Sequence, residues 1–480
     1  MCPLCLLVMM GLCVFFACVL LLVFGYVWYG RLAEKVYGEP HDVVMPCVAN
    51  PDGVDFVPLP TWKIFLIQLL NIAGLGPVVG AVSGCLFGPA ALVWIVLGCI
   101  FAGAMHDFLA ARMSADAGGA NLPELVGDNL GNWASHAMRT VCVAMLLLVG
   151  VVFTLLPARM LHGIFPSVTE SQWCSIILGY YFLATILPIN VIIGRVYPLF
   201  GALFLFMAVG LAVMLPISGY DVLPNLDVLT NVHPGGQQIW PALFVTIACG
   251  AISGFHATQS PMMVRCLTSA RKLRRVFYGA MIVEGMVALV WATVGLTLRE
   301  VLVASPDGGE TLFCQLKPAD AVKSACELLL GHQLVIPAVL GVVVLAVSSG
   351  DTAMRSCRLM LSDLLHLEQR KIWKRLAIAV PIFAAVIVVS NVDFSIVWRY
   401  FGWANQGLSC ITLWSIAECL RRRRRWYWMA LIPALFMSVM CTTFLLSAVE
   451  CGICMEPMHA TLAGVVFTLL LAALFFRRKG

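Results

Sequence analysis

Several ionisable and amide side chains stand inside long apolar stretches of this sequence, where such groups are costly and are kept mainly for function. They come from five separate stretches and are His106, Asp107, His256, Glu284, Asp351, Asn405 and Gln406. A carboxylate in an apolar setting can bind a cation or carry a proton. The set therefore predicts ion coupling at Asp107, Glu284 and Asp351, and the chain is not expected to be an enzyme.

Asp351 stands in the stretch "SSGDTAMR", next to hydroxyl side chains that we also assign to ion coupling: Ser348, Ser349 and Thr352. Two interpretations are open at this point. The hydroxyls and the carboxylate could together hold Na⁺, or the carboxylate could carry H⁺. A structural alternative is that Arg355, four residues further on, neutralises Asp351.

Asp107 and Glu284 also have a structural alternative, which is pairing with Arg112 or other nearby basic residues. For His256, a hydrogen-bonded packing residue and a ligand for substrate are both open interpretations. No two histidines lie at metal-ligand spacing on one helix. The sequence therefore predicts no metal site and no cofactor, and the coupling ion is expected to be H⁺ or Na⁺.

Two glycine-rich segments must position these groups, "NIAGLGPVVGAVSG" at 71–84 and "CGAISGFHATQSP" at 249–261. Both lie inside stretches that are long enough to span a membrane. An interrupted helix exposes carbonyls to cations and N–H groups to anions. The expected substrate-binding residues flank these two breaks and are Asn71, Gly74, Gly76, Pro77, Ser253, Gly254, His256, Asn405 and Gln406. The four-residue spacing of Gly80 and Gly84 is explained by close helix packing alone.

The composition indicates that the chain lies in a lipid membrane. Of its 480 residues 61% are hydrophobic and only 11% are charged, against about 25% charged in soluble domains. About thirteen apolar segments reach the length that a membrane span requires. Because lipid leaves exposed backbone groups unpaired, the spans are expected to be helices, which predicts an all-α membrane protein.

The two breaks lie five spans apart, so the broken helices cross the membrane in opposite directions. This is the arrangement of an inverted-repeat transporter. The predicted organisation is an extra helix at 1–30, repeat one at 62–216 with its break at 74–77, repeat two at 238–420 with its break at 253–256, and two extra helices at 426–477.

Basic residues predict the orientation. With thirteen spans, 25 of the 30 lysines and arginines fall on one side of the membrane. The positive-inside rule places that side in the cytoplasm, with the N-terminus outside and the C-terminus inside. "RRRRR" at 421–425 then anchors the chain to membrane lipid, and no nucleic-acid partner is expected. For Cys451 and Cys454, an external disulfide or no bond at all is expected.

The motifs "NIAGLGPVVGAVSG", "ACGAISGFHATQSP", "GAMIVEG", "SSGDTAMR" and "FGWANQ", in this order, resemble the hallmarks of the carbon-starvation protein A (CstA) family. The resemblance covers about residues 30 to 420. It implies a LeuT-like five-plus-five inverted repeat, as in the amino acid–polyamine–organocation superfamily, in the bacterial cytoplasmic (inner) membrane. It further implies uptake of peptides, or of pyruvate by proton symport, with the substrate between the two breaks.

The function predicted from these observations is secondary active symport of a small carboxylate such as pyruvate, or of short peptides, during carbon starvation. The alternatives are a symporter of the same fold for an amino acid or another organic solute, an ion channel, and a membrane sensor that has lost transport. The sequence predicts no particular oligomeric state.

Overall fold

The computed structural model describes residues 3–38, 43–187, 193–228, 230–233, 235–304, 309–367, 369, 371–448 and 453–477. Within these ranges the regular secondary structure is helical, apart from one two-stranded antiparallel sheet formed by β1 (Leu302–Ala304) and β2 (Glu310–Leu312) and one isolated bridge between Leu59 and Leu267, and loops connect the helices. Of the two cysteines for which a disulfide or no bond is expected, Cys451 lies outside the described residues.

The described residues form twenty α-helices. They are α1 Pro3–Val27, α2 Tyr29–Tyr37, α3 Pro46–Ala49, α4 Thr61–Ala73, α5 Ala81–Gly84, α6 Ala90–Gly98, α7 Ala104–Asp116, α8 Leu122–Leu130, α9 Asn132–Ile164, α10 Glu170–Ile186, α11 Ile193–Met214, α12 Ile239–Thr246, α13 Gly254–Val264, α14 Gly279–Leu298, α15 Pro318–Leu330, α16 Val335–Leu364, α17 Ile372–Val389, α18 Phe394–Arg422, α19 Trp428–Ser447 and α20 Pro457–Arg477. Short helical turns of π or 3₁₀ type lie between them at Gly76–Gly80, Cys85–Phe87, Cys99–Gly103, Ala270–Lys272, Arg274–Tyr278 and Phe313–Gln315.

Nine of the described helices are long and apolar enough to cross a membrane, or ten if one bent pair is counted as a span. The outermost of them expose large apolar side chains such as Leu20 in α1 and Leu469 in α20. Such surfaces are suited to lipid. The chain is therefore a multi-pass membrane protein. The count of thirteen stays a prediction, because other predicted spans coincide with a 17-residue helix (α10), an interrupted helix (α12 and α13) and a less apolar helix (α18).

The first glycine-rich segment interrupts a helix at the predicted residues. α4 ends at Ala73, Gly74 has a φ of +21°, and a π turn resumes at Gly76. The two arms of the helix are bent by 50° relative to each other. Pro77, which has no N–H to donate, stands in the first turn of the second arm, where a helix tolerates it.

The second interruption differs from the prediction. α12 ends at Thr246, residues 247–253 are not helical, and α13 begins at Gly254. The predicted break at 253–256 is therefore placed too late, since 254–256 form the first turn of α13. Gly250, with a φ of +90°, supplies the left-handed backbone.

Two buried helices hold the site in place. α16 packs against α4, α9, α10 and α11, and α14 packs against α4, α5 and α6. Both carry polar side chains into an otherwise apolar interior, and their flanking helices exclude solvent from these groups. The core of the bundle therefore coincides with the place where the two interrupted helices lie.

Candidate functional site

The two interruptions contact each other. A Cβ placed on Gly76 would lie 2.2 Å from Cβ and 2.4 Å from Sγ of Cys249. One turn further on, a Cβ on Gly80 would lie 2.8 Å from the carbonyl oxygen of Thr246. Close packing thus requires glycine at both positions. The packing interpretation of Gly80 agrees with this contact, and what it packs against is the second break itself.

Close packing at this point gives a testable prediction. Gly76→Ala should destabilise the protein by about 1–3 kcal/mol, because the added methyl group overlaps Cys249. The measurement is the midpoint of thermal unfolding of the purified protein in detergent. Gly407→Ala in α18 is the matched control, since its Cβ would meet no atom within 4 Å. It should be neutral or slightly stabilising, and equal midpoints for both variants would contradict the packing argument.

Three predicted residues hold the second break together. Oδ1 of Asn405 accepts hydrogen bonds from the backbone N–H of Phe255 at 2.8 Å and from the Ser253 hydroxyl at 2.9 Å. Nε2 of Gln406 donates to the carbonyl of Phe244 at 2.7 Å. These side chains of α18 satisfy backbone groups that the interruption leaves without helical partners. Nδ2 of Asn405 has no partner among the described residues.

A cluster of four buried side chains, which we call the acid–imidazole cluster, lies beside the second break. It consists of His106, Asp107, His256 and Glu284. Asp107 uses one oxygen for each histidine, at 2.8 Å from Nδ1 of His106 and 2.9 Å from Nδ1 of His256. Nε2 of His256 faces Oε2 of Glu284 at 3.5 Å. The other oxygen of Glu284 accepts the N–H of Gly250 at 3.0 Å.

The structural alternative for Asp107 and Glu284, which was pairing with Arg112, is wrong. Arg112 lies 3.3 Å from Asp116, one turn along α7, and does not pair with Asp107. Asp107 and Glu284 share His256 instead. Three elements meet here, because Asp107 comes from α7, His256 from the first turn of α13, and Glu284 from α14.

Asp351 lies in a second cluster, on the side of the first break. Its two oxygens accept hydrogen bonds from the Tyr180 hydroxyl at 2.6 Å and from the Tyr197 hydroxyl at 2.9 Å. The Tyr197 hydroxyl also lies 3.2 Å from Oδ1 of Asn71, in the last turn of α4. We call these four residues the Asp351 cluster. Nδ2 of Asn71 has no partner in the described part of the chain.

The neighbouring hydroxyls of α16 join this cluster to the first break. Ser348 donates to the carbonyl of Leu70 at 3.1 Å, and Ser349 lies 2.8 Å from the carbonyl of Asn71. These carbonyls belong to the helix end that the interruption leaves open. Thr352 donates within its own helix, to the carbonyl of Ser348 at 3.0 Å. Two of the three predicted hydroxyls, Ser348 and Ser349, thus bond to the end of α4, while the partners of Asp351 are tyrosines.

Arg355 forms its ion pair with Asp55 and not with Asp351, so that alternative is wrong. Its guanidinium lies 3.1 Å from Oδ1 of Asp55, and Arg358 lies 3.3 Å from Oδ2 of the same carboxylate. Asp55 belongs to the loop before α4. Burial raises the pKa of the Asp55 carboxyl, but the guanidiniums of Arg358 and Arg355 outweigh burial and hold the pKa below its ordinary 3.8. Two buried guanidiniums are thus arranged around one loop carboxylate.

Several polar residues at these sites are not predicted from the sequence. Tyr180 and Tyr197 gave no signal, since isolated tyrosines in apolar helices are usual at membrane boundaries. Cys249 gives no signal either, since a cysteine inside a span behaves as a small apolar residue, yet it lies against Gly76 and beside His256. Gln68, one turn before Asn71, is fully buried and neither side-chain polar atom has a partner among the described residues. An amide inside a span is a signal that could have identified Gln68.

A multi-pass helical bundle in which two interrupted helices meet beside buried carboxylates defines the class of membrane transporters rather than of enzymes. Within this class the chain belongs to the Carbon starvation protein CstA family, whose sequence model matches residues 10–169, 159–328 and 332–444. The family prediction is thereby confirmed.

Individual relatives agree with this assignment. An uncharacterized membrane protein of Haemophilus influenzae is 40% identical over 337 residues, 60% of this chain and 91% of the relative. The peptide transporter CstA of Escherichia coli is 23% identical and aligns with 89% of this chain and 79% of its own length. The pyruvate/proton symporter BtsT of the same organism is 27% identical over 54% of this chain and 45% of the relative.

Solved structures show the fold. A nucleobase-cation-symport-1 family transporter aligns with 89% of this chain and 95% of its own length, with a TM-score of 0.54 and 14% identity. Likeness at this level of identity establishes a shared fold and says nothing about the solute that is carried.

Proposed function

We propose that this chain is a secondary active symporter that imports a small carboxylate such as pyruvate, or a short peptide, across the bacterial cytoplasmic (inner) membrane. The observation that carries the proposal is the contact between two interrupted helices next to Asp351, a buried carboxylate whose hydrogen-bond partners are neutral hydroxyls. Support comes from the relatives, which include a peptide transporter and a pyruvate/proton symporter.

Substrate would bind between the two breaks. The first turn of α13, at Gly254 and His256, turns the positive end of a helix dipole toward the interruption, which favours a carboxylate. The amide nitrogens of Asn71 and Asn405 supply donors that lack protein partners among the described residues. Phe153 adds an apolar wall, because its ring lies 3.0 Å from where a Cβ on Gly74 would stand and 6.3 Å from the ring of Phe255.

Coupling is assigned to Asp351, with H⁺ as the ion. Among the described residues no guanidinium or ammonium forms an ion pair with it and its hydrogen-bond partners are neutral hydroxyls, so the carboxylate becomes neutral by taking up a proton. Ser348 and Ser349, with the carbonyls at the end of α4, offer oxygens that would suit Na⁺ instead. Asp107 and Glu284, which share His256, are two further buried carboxylates that could respond to an ion. Uptake under a pH gradient and under a sodium gradient distinguishes H⁺ from Na⁺ as the coupling ion.

The finer architecture belongs to the same proposal. It has thirteen spans, with repeat one at 62–216 and repeat two at 238–420, the extra helices at 1–30 and 426–477, the N-terminus outside and the C-terminus in the cytoplasm. Alternating access would come from rocking of one group of helices against the other around the paired breaks. The neighbouring transporter fold supports the repeat, and the distribution of basic residues supports the orientation.

The test is uptake of labelled pyruvate and of a labelled dipeptide by proteoliposomes, under an imposed pH gradient and, separately, a sodium gradient. We expect saturable accumulation of one of the two solutes, driven by the pH gradient. Accumulation driven only by sodium would move the coupling to Ser348 and Ser349. Gradient-dependent flux that does not saturate would favour a channel, and no uptake of either solute would refute the substrate assignment.

A further inference from the structure

A cysteine thiol lies next to the acid–imidazole cluster. Sγ of Cys249, a ring nitrogen of His256 and a carboxylate oxygen of Glu284 all lie within 4.8 Å of one another. The three residues come from the second break, from the first turn of α13 and from α14. Cys249 is 3% exposed, and His256 and Glu284 are not exposed at all. Thiolate, imidazole and carboxylate are the three ligand types of protein zinc sites.

Two atoms of this group face each other without a hydrogen-bond partner. Among the described residues, neither Nε2 of His256 nor Oε2 of Glu284 has one, although both are buried. They are 3.5 Å apart. Buried polar atoms are rarely left unsatisfied, so a pair of this kind requires an explanation. Since both can bind a metal ion, a cation between them would satisfy both.

The outer contacts of the cluster also fit a metal site. Nδ1 of His256 lies 2.9 Å from Asp107, an arrangement that orients the imidazole with its Nε2 toward Cys249 and Glu284. Metal-binding histidines almost always place their second nitrogen on a carboxylate or carbonyl in this way. The remaining oxygen of Glu284 is held by the N–H of Gly250 at 3.0 Å. Both side chains are therefore oriented before an ion binds.

We propose that Cys249, His256 and Glu284 bind one divalent transition-metal ion of the Zn²⁺ type. Zinc lies about 2.0–2.3 Å from such ligands, which places neighbouring ligand atoms about 3.3–3.7 Å apart. The histidine–glutamate pair already has this spacing, and the thiol closes the remaining distance by a small shift. Binding releases the thiol proton and leaves Nε2 of His256 without a proton, and the two positive charges of the ion balance the thiolate and the carboxylate. The ion would fasten the non-helical segment 247–253 to α13 and α14.

The inference goes beyond the proposed transport function and is tested without it. Protein without an affinity tag is purified in detergent, stripped with a chelator, loaded with Zn²⁺, desalted and analysed for zinc per chain. We expect about one zinc ion in the wild type and in Cys142→Ser, which changes a buried cysteine of α9 outside the cluster. Cys249→Ser and His256→Gln should bind well below one. Equal zinc content in all four proteins would mean adventitious binding and would overturn the proposal.

Co²⁺ gives a readout that reports the thiolate itself. The wild type and Cys142→Ser should show a sulfur-to-cobalt charge-transfer band, and Cys249→Ser should lack it. Asp107→Asn should keep the band but weaken cobalt binding by about 10–100-fold, because the aspartate only orients His256. A variant that fails to fold is recognised by its elution profile. The wild-type spectrum decides in that case, since wild type without the band refutes the site.

Discussion

Asp351→Asn is expected to abolish gradient-driven accumulation of substrate while leaving exchange of substrate across the membrane intact. Asparagine keeps the shape of the side chain, and its Oδ1 can still accept a hydrogen bond from Tyr180 or Tyr197, but it cannot take up a proton. A pH gradient of about one unit, with one proton per substrate, supports about tenfold accumulation. The variant should therefore stay near equal concentrations inside and outside the proteoliposomes.

The exchange measurement separates coupling from binding. Labelled substrate outside should still enter vesicles that are preloaded with unlabelled substrate, because this exchange needs no net movement of protons. Asp363→Asn is the matched control, since this carboxylate lies in the last turn of the same helix and contacts Asn121. It should accumulate substrate like the wild type. Normal accumulation by Asp351→Asn would return Asp351 to a structural role.

The interruption of the first helix could be predicted from the sequence because its causes are local. Gly74 and Pro77 disfavour a regular helix wherever they occur together. The predicted position of the second break is wrong for a physical reason. Gly254 looks like a helix breaker, yet a Cβ there would lie 2.3 Å from Cβ of Leu408, so this glycine serves close packing at a helix start. The backbone reversal depends on Gly250 instead.

The partners of the buried charges could not be predicted, because they come from distant parts of the chain. Tyr180 and Tyr197 are 171 and 154 residues from Asp351 in sequence. Arg355 stands one turn from Asp351, and sequence spacing alone favoured that pair. Asp55, 300 residues away, binds Arg355 in the folded protein. Spacing in the sequence identifies candidate ion pairs, but tertiary packing determines which of them form.

Asp55→Asn should have the largest effect on stability, about 3–5 kcal/mol, because it leaves two buried guanidiniums without a counter-ion. Arg355 is 1% exposed and Arg358 is fully buried. The measurement is thermal or denaturant unfolding in detergent. Arg358→Gln in the Asp55→Asn background should recover part of the loss, since one uncompensated charge is removed. Strictly additive losses in the double variant would show that the three charges are independent.

The lowered pKa of Asp55 determines how the stability difference between the wild type and Asp55→Asn depends on pH. A carboxyl whose pKa is lower in the folded state stabilises the fold fully above its ordinary pKa of 3.8, and the contribution disappears as the pH falls through the folded-state pKa. The stability difference between the wild type and Asp55→Asn should thus be constant from pH 5 to 8 and shrink only below about pH 4. A difference that changes across neutral pH would point to another group.

The same substitution should also reduce transport. Arg355 stands one turn from Asp351 on α16, and Asp55 is the counter-ion that its guanidinium contacts. When Asp55 loses its charge, Asp351 becomes the nearest buried carboxylate on the helix that carries Arg355. A guanidinium beside Asp351 would stabilise the ionised carboxylate and oppose uptake of a proton. Asp55→Asn with Arg355→Gln should then accumulate more substrate than Asp55→Asn alone, and a further loss in the double variant would show that Asp55 and Asp351 act separately.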